Sequence, residues 1–127
     1  MRADDEPLTV FIVDDNVDLR EGLCLMLAGA GMTVEAYPDG ATFLAAIHAA
    51  RRGCLLLDQV MPGMSGLQVQ ETLRSRGLNI PVIILSGSAT PAVADQALRS
   101  GALFFLEKPV DGERLLECIR QVLARYP

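Results

Sequence analysis

The interpretation of the fold depends on one stretch, Cys54-Leu55-Leu56-Leu57-Asp58-Gln59-Val60-Met61-Pro62-Gly63. An apolar run without polar alternation leads into Asp58, and Pro62 with Gly63 then predicts a loop. Such a run is typical of a strand that is buried on both faces, as strands are in a parallel sheet covered by helices. The stretch therefore predicts a buried strand whose carboxyl end carries an aspartate.

Short apolar runs of the same kind recur along the chain and alternate with patterns of helical period. The other predicted strands cover residues 8–13, 33–37, 80–85 and 103–106. The second predicted helix covers residues 41–50 and includes His48. The other four helices are predicted to begin at Asp18, Ser65, Thr90-Pro91 and Asp111. A strand followed by a helix, five times in succession, predicts an α/β fold with a five-stranded parallel sheet between two layers of helices.

Length and composition restrict the class of protein. The 127 residues suit one domain, and 50% hydrophobic residues supply a sizeable core. The net charge of −5 argues against direct nucleic-acid binding by this chain. No stretch of about 18 consecutive apolar residues occurs, so no membrane span is predicted. We expect a single domain over 1–127, with a disordered lead-in at 1–7 and a folded core at 8–124.

The cysteines, Cys24, Cys54 and Cys118, are odd in number and widely spaced. This pattern predicts neither a disulfide framework nor a zinc site. We interpret all three as reduced residues of a cytoplasmic protein.

Polar residues follow the apolar runs where ligands of a parallel α/β sheet bind, at the carboxyl ends of the strands. They are Asp14 and Asp15 after the first run, Asp58 after the third, Ser86 after the fourth and Lys108 after the fifth. Three neighbouring carboxylates repel one another, and a hard divalent cation such as Mg²⁺ would remove that penalty. A carboxylate can also act as a covalent nucleophile. The pattern therefore predicts a cation-assisted phosphoryl-transfer site with Asp58 as acceptor.

These residues carry a resemblance to a known family. Asp14-Asp15, the stretch at 57–66, Ser86 and Glu107-Lys108-Pro109, in this order, resemble a receiver (CheY-like) domain of two-component signalling over about residues 8–123. The resemblance implies a flavodoxin-like (βα)5 three-layer sandwich with the strand order 2-1-3-4-5. It also implies a cis peptide bond before Pro109.

The resemblance assigns a role to each site residue. Asp58 is the phosphoacceptor, Lys108 pairs with the phosphoryl group and Ser86 turns toward it. Asp15 binds the metal directly, Asp14 helps to hold the metal partly through water, and the backbone carbonyl of Val60 is a further metal ligand. Phe105 is the aromatic switch residue. The implied cation is Mg²⁺, with Mn²⁺ as an alternative, and the implied phosphodonor is a sensor histidine kinase.

The implied function is a phosphorylation-dependent switch rather than an enzyme that turns over a free substrate. Its output face is the surface of the fourth helix, fifth strand and fifth helix, where Leu98, Ala102, Leu103 and Phe104 suggest a phosphorylation-dependent homodimer. The sequence of residues 59–66 and the phenylalanine at position 105 resemble those of FixJ-type transcriptional regulators. This favours a fragment of a longer regulator, with a DNA-binding module beyond Pro127, over a stand-alone receiver.

Three alternatives compete with this interpretation. An aspartyl phosphohydrolase would need a second Asp two positions after Asp58, where this chain has Val60. A flavin- or nucleotide-binding module would need a Gly- or Ser/Thr-rich first loop, and Asp14-Asp15 would repel a bare phosphate. A degenerate receiver that acts only as a protein-binding module would not require the set of Asp15, Asp58 and Lys108, and metal affinity distinguishes this alternative.

Overall fold

The computed structural model describes residues 7–87 and 90–125. Strands and helices alternate in the order β1 (Leu8–Val13), α1 (Val17–Gly29), β2 (Thr33–Tyr37), α2 (Gly40–Ala46), β3 (Arg52–Asp58), α3 (Gly66–Ser75), β4 (Val82–Ser86), α4 (Pro91–Arg99), β5 (Phe104–Glu107) and α5 (Gly112–Arg125). All strand pairs are parallel, in the order β2-β1-β3-β4-β5. The predicted α/β fold and strand order are confirmed.

The three central strands divide the core into two layers. Side chains of β1, β3 and β4 are almost wholly buried, and successive residues point to opposite faces of the sheet. Phe11 and Leu55 pack on one face with residues of α2 and α3. Ile12 and Leu56 pack on the other face with residues of α1 and α5. The absence of alternation in these strands therefore reflects burial on both faces, as predicted.

Most helix starts follow from capping residues in the sequence. The predicted caps Ser65 and Thr90 are confirmed, and Ser65 forms a capping box with Gln68. The prediction of Asp18 as the first cap is wrong, because Asn16 caps α1 by accepting a hydrogen bond of 3.1 Å from the amide of Leu19. Asp18 lies in the first turn instead, where its charge favours the helix dipole.

The second helix is shorter than predicted. α2 ends at Ala46, and Ile47 has extended backbone angles. The side chain of Ile47 is buried in the same cluster as Phe43 and Leu44. His48 therefore lies beyond the helix rather than on it, and its side chain is exposed. Ile47 thus stays in the core although the helix-forming alanines on either side of it do not continue the helix.

Other expectations concern the termini, the cysteines and the membrane. Of the predicted disordered lead-in at 1–7, residues 1–6 lie outside the described part of the chain, and Pro7 is exposed. All three cysteines are free, with Cys54 and Cys118 buried. No helix within residues 7–87 and 90–125 is long and apolar enough to cross a membrane.

Gly53 gives a direct test of the β1–β3 pairing. Its φ is +146°, and a Cβ added there would lie 1.7 Å from the backbone oxygen of Thr9. We expect Gly53→Ala to lower the free energy of unfolding by at least about 3 kcal/mol, because neither backbone can move without breaking the pairing. Urea unfolding measures the change.

The matched control is Gly22→Ala in α1, where the added Cβ would meet nothing within 4 Å apart from its chain neighbours and the backbone of its own helix. This variant should instead gain up to about 1 kcal/mol from helix propensity. A Gly53→Ala protein as stable as the wild type would contradict the described register.

Candidate functional site

The polar residues predicted at the strand ends come together at one edge of the sheet. Asp14 follows β1, and Asp58 and Ser86 end β3 and β4. Carboxylate oxygens of Asp14, Asp15 and Asp58 all lie within 4.8 Å of one another. Asp14 and Asp58 are buried, whereas Asp15 is exposed. The edge is therefore a shallow acidic site with one carboxylate open to solvent.

Lys108 places a cation inside this acidic group. Its Nζ lies 3.0 Å from Oδ2 of Asp14 and 3.2 Å from Oδ1 of Asp58. The lysine is carried by the end of β5, where its backbone amide donates a 2.8 Å hydrogen bond to the carbonyl of Ser86. The Lys108–Pro109 peptide bond is cis, as the resemblance implied. Three strands that are far apart in sequence thus supply one ion-pair network.

The network changes the proton affinity of its members. Burial raises the pKa of the Asp58 carboxyl above its ordinary value, repulsion from Asp14 raises it further, and Lys108 and the Val60 amide offset part of the rise. Burial alone would lower the pKa of the Lys108 ammonium, but its contacts with Asp14 and Asp58 raise it overall. Lys108 therefore stays charged at neutral pH, while the ionised form of Asp58 remains incompletely compensated.

Asp14 is held by two residues that the sequence analysis did not identify as part of the site. The amide of Asn16 donates a 2.9 Å hydrogen bond to Oδ1 of Asp14. Nη1 of Arg20 donates a 2.7 Å hydrogen bond to the backbone carbonyl of Asp14. Identifying Asn16 as the helix cap would have located Arg20, because Arg20 then falls one turn into α1, where its side chain can reach back to the loop.

The donor set fits a hard divalent cation. Asp14, Asp15 and Asp58 offer carboxylate oxygens only, and one of them faces solvent, which suits a cation that retains bound water. Lys108 alone does not balance three carboxylates, so the site keeps a net negative charge that a cation would reduce. The role of the Val60 carbonyl as a further ligand stays a prediction. The backbone amide of Val60 donates a 3.4 Å hydrogen bond to Oδ1 of Asp58.

The two predicted switch residues lie on β4 and β5, two of the strands that lead to this edge. Ser86 is fully buried at the end of β4. Phe105 is half-buried in β5 and packs against the cluster that contains Ala97 of α4. Their roles in switching stay predictions.

The predicted output face is only partly open. Leu98 and Leu103 are exposed, with 48% and 36% of their surface accessible. Ala102 is buried, and Phe104 is half-buried against the α1 and α5 layer. Ala102 therefore cannot contribute surface to a dimer, and Leu98 and Leu103 are the apolar candidates.

The charge balance predicts how Asp58 affects stability. Its pKa is raised in the folded protein, so its contribution to stability is present below the unfolded pKa of about 3.9 and is lost as pH rises through the folded pKa. At pH 7 with EDTA, Asp58→Asn should therefore raise the Tm by a few degrees, and the gain should shrink at acid pH. Thermal unfolding monitored by circular dichroism measures both.

Asp95→Asn is the control, since Asp95 forms an exposed pair with Arg99 and its removal should change stability by less than about 1 kcal/mol. If Asp58→Asn had the same Tm as the wild type at neutral pH, the described charge imbalance would be wrong.

Comparison with known proteins agrees with this geometry. The sequence profile of the response regulator receiver domain matches residues 10–120. The transcriptional regulatory protein FixJ of Azorhizobium caulinodans is 37% identical over 120 residues, which cover 94% of this chain and 57% of FixJ. The response regulator protein TodT of Pseudomonas putida is 37% identical over 123 residues, which cover 97% of this chain and 54% of TodT. The chain thus spans little more than half of these relatives.

A solved structure shares the fold. The crystal structure of FixJ-N superimposes with a TM-score of 0.88 at 33% identity, over 96% of this chain and 98% of that one. Fold and sequence relatives therefore agree, and the chain belongs to the response regulator receiver domain family of two-component signalling.

Proposed function

We propose that the protein is a phosphorylation-dependent switch that accepts a phosphoryl group on Asp58. The observation that carries the proposal is the environment of this carboxylate. Asp58 is buried at the end of β3, yet its Oδ1 lies 3.2 Å from the ammonium of Lys108 in a group of three carboxylates. A buried carboxylate with a cation beside it and incomplete charge compensation is poised to gain ligands.

The residues present account for the main requirements of phosphoryl transfer. An oxygen of Asp58 forms the new O–P bond while the bond from phosphorus to the donor breaks, and the donor leaves with the bonding electron pair. Lys108 is positioned to pair with the incoming phosphoryl oxygens, because its ammonium already contacts the acceptor. A bound Mg²⁺, or Mn²⁺ as the alternative, would neutralise negative charge on the transferred group. Asp14 and Asp15, with Asp58, would hold it.

Phosphorylation would then redistribute the contacts of Lys108 and Ser86. In the described state Lys108 divides its ammonium between Asp14 and Asp58. Phosphoryl oxygens on Asp58 would offer stronger acceptors to that ammonium. We infer that Ser86 turns toward the same oxygens and that Phe105 moves further inward. Because Phe105 packs in one cluster with Ala97 of α4, this movement biases the surface formed by α4, β5 and α5.

The partners follow from the family and from the relatives. A sensor histidine kinase is the proposed donor, in the cytoplasm. FixJ and TodT are named as a transcriptional regulatory protein and a response regulator, and a transcriptional output is proposed here on that similarity. The protein itself is a phosphoryl acceptor that changes state and does not turn over a free substrate.

Incubation with acetyl phosphate and Mg²⁺ tests the acceptor. We expect intact-mass spectrometry to show a gain of about 80 Da, one phosphoryl group. EDTA and Asp58→Asn should each abolish the gain, while Asp95→Asn, on exposed α4, should retain it. No gain in the wild type, together with no Mg²⁺ binding, would contradict the proposal and favour the degenerate, protein-binding receiver.

The proposed homodimer is tested with beryllofluoride and Mg²⁺, an analogue of the phosphoryl group. Light scattering after size-exclusion chromatography should show a doubled mass for the wild type. Leu98→Asp should prevent the doubling, because it places a charge in the exposed apolar surface of α4. Leu25→Asp is the control, since Leu25 is 77% exposed on α1. An unchanged mass in the wild type would remove the dimer.

A further inference from the structure

We propose that Arg20 is a positioning residue of the cation site, which fixes the loop that carries Asp14 and Asp15. The inference rests on the proposed binding of a divalent cation. It concerns a residue of α1 that does not itself offer a ligand atom. Its contact is a hydrogen bond of 2.7 Å from Nη1 to the backbone carbonyl of Asp14.

The geometry connects the first helix to the loop in two places. The amide of Arg20 donates to the carbonyl of Asn16 with a distance of 3.0 Å, which is an ordinary helical bond. The side chain of the same residue reaches back past Asn16 to Asp14. The loop between β1 and α1 is therefore closed against the helix by one residue.

Arg20 completes the set of contacts that hold Asp14. The amide of Asp14 donates to the carbonyl of Tyr37 at 3.3 Å. Its Oδ1 accepts from the amide of Asn16 at 2.9 Å, and its Oδ2 accepts from Nζ of Lys108 at 3.0 Å. If Arg20 were removed, the backbone carbonyl of Asp14 would lose the partner described here. Asp15, the solvent-facing carboxylate, follows directly in the chain, so its direction depends on this carbonyl.

The contact is suited to positioning. The guanidinium donates to a backbone carbonyl, so this hydrogen bond does not occupy a carboxylate oxygen of Asp14, Asp15 or Asp58. As a nearby positive charge, Arg20 would by itself oppose binding of a cation. If Arg20 positions the loop, removal of the guanidinium should raise the Kd for the cation. If Arg20 acts only through its charge, removal should lower that Kd, so the two roles can be distinguished.

Arg76 offers a matched control. Its Nη1 donates a 2.6 Å hydrogen bond to the backbone carbonyl of Leu44, so it makes the same kind of contact. Arg76 is the C-cap residue of α3, at the other end of that helix from the β3–α3 loop. Arg20→Gln and Arg76→Gln thus remove the same charge and the same type of bond, at the site and away from it.

The experiment is a titration of each protein with Mg²⁺ alone, followed by the amide resonances of the β1–α1 loop in NMR spectra. Partners that orient metal ligands typically alter affinity by tenfold or more, so the Kd of Arg20→Gln should rise about tenfold. Arg20→Lys, which keeps the charge but not the planar fork, should have a Kd between the wild type and Arg20→Gln. The Kd of Arg76→Gln should equal the wild-type value. Tm in EDTA is measured for all four proteins.

A Kd of Arg20→Gln that is unchanged or lower than that of the wild type would overturn the inference. So would an equal rise in Arg76→Gln, because the effect would then be one of general stability. Arg20→Lys decides the question if Arg20→Gln fails to fold, since an unaltered Kd in the lysine variant then contradicts positioning by the guanidinium. Absence of Mg²⁺ binding in the wild type would overturn the proposed cation and this inference together. Binding by the wild type with no effect of Arg20 overturns the inference alone.

Discussion

The ammonium of Lys108, held between the carboxylates of Asp14 and Asp58, is the interaction on which the arrangement of the site depends. Buried charges lose hydration, and they are tolerated only with close partners of opposite sign. The three groups belong to the ends of β1, β3 and β5, and β5 reaches β3 only across β4. The hydrogen bond from the Lys108 amide to the Ser86 carbonyl holds Lys108 in place beside the end of β4. The charge network therefore forms only with this strand order. The network leaves the carboxylates incompletely balanced by Lys108.

The same sheet connects the acidic edge with the rest of the molecule. Phe104 and Phe105 alternate across β5, so that one packs in the α1 and α5 layer and the other in the layer that includes Ala97 of α4. Lys108 directly follows Glu107, the last residue of the same strand. A change in the contacts of Lys108 therefore acts on a strand whose side chains reach both layers of the core. This gives the proposed switch a continuous structural route, without requiring a large movement of the backbone.

Sequence predicted the features that rest on burial and missed those that rest on local competition. The apolar runs located β1 and β2 with their observed ends, because continuous burial and turn residues leave a clear pattern. Asp18 and Asn16 are both good caps, and only the path of the loop between β1 and α1 selects Asn16. The alanines at 45, 46, 49 and 50 favour a helix, but the backbone becomes extended at Ile47, whose side chain remains buried. The contact of Arg20 with the Asp14 carbonyl was missed for the same reason as the cap, because its place one turn into α1 becomes evident only once Asn16 is identified as the cap.

Helix α4 shows how packing restricts the proposed rearrangement. Its buried residue is Ala97, near its C-terminal end. Nε2 of Gln70, a buried residue of α3, donates to the carbonyls of Ala97 and Ser100 at 3.3 and 3.4 Å, and Arg74 donates to Ser100 at 2.6 Å. Displacement of this end would strand the Gln70 amide, whose Oε1 already has no described partner, and each buried group left unpaired costs about 1–3 kcal/mol. A rearrangement driven by Ser86 and Phe105 therefore needs the least free energy if the C-terminal end of α4 stays in place.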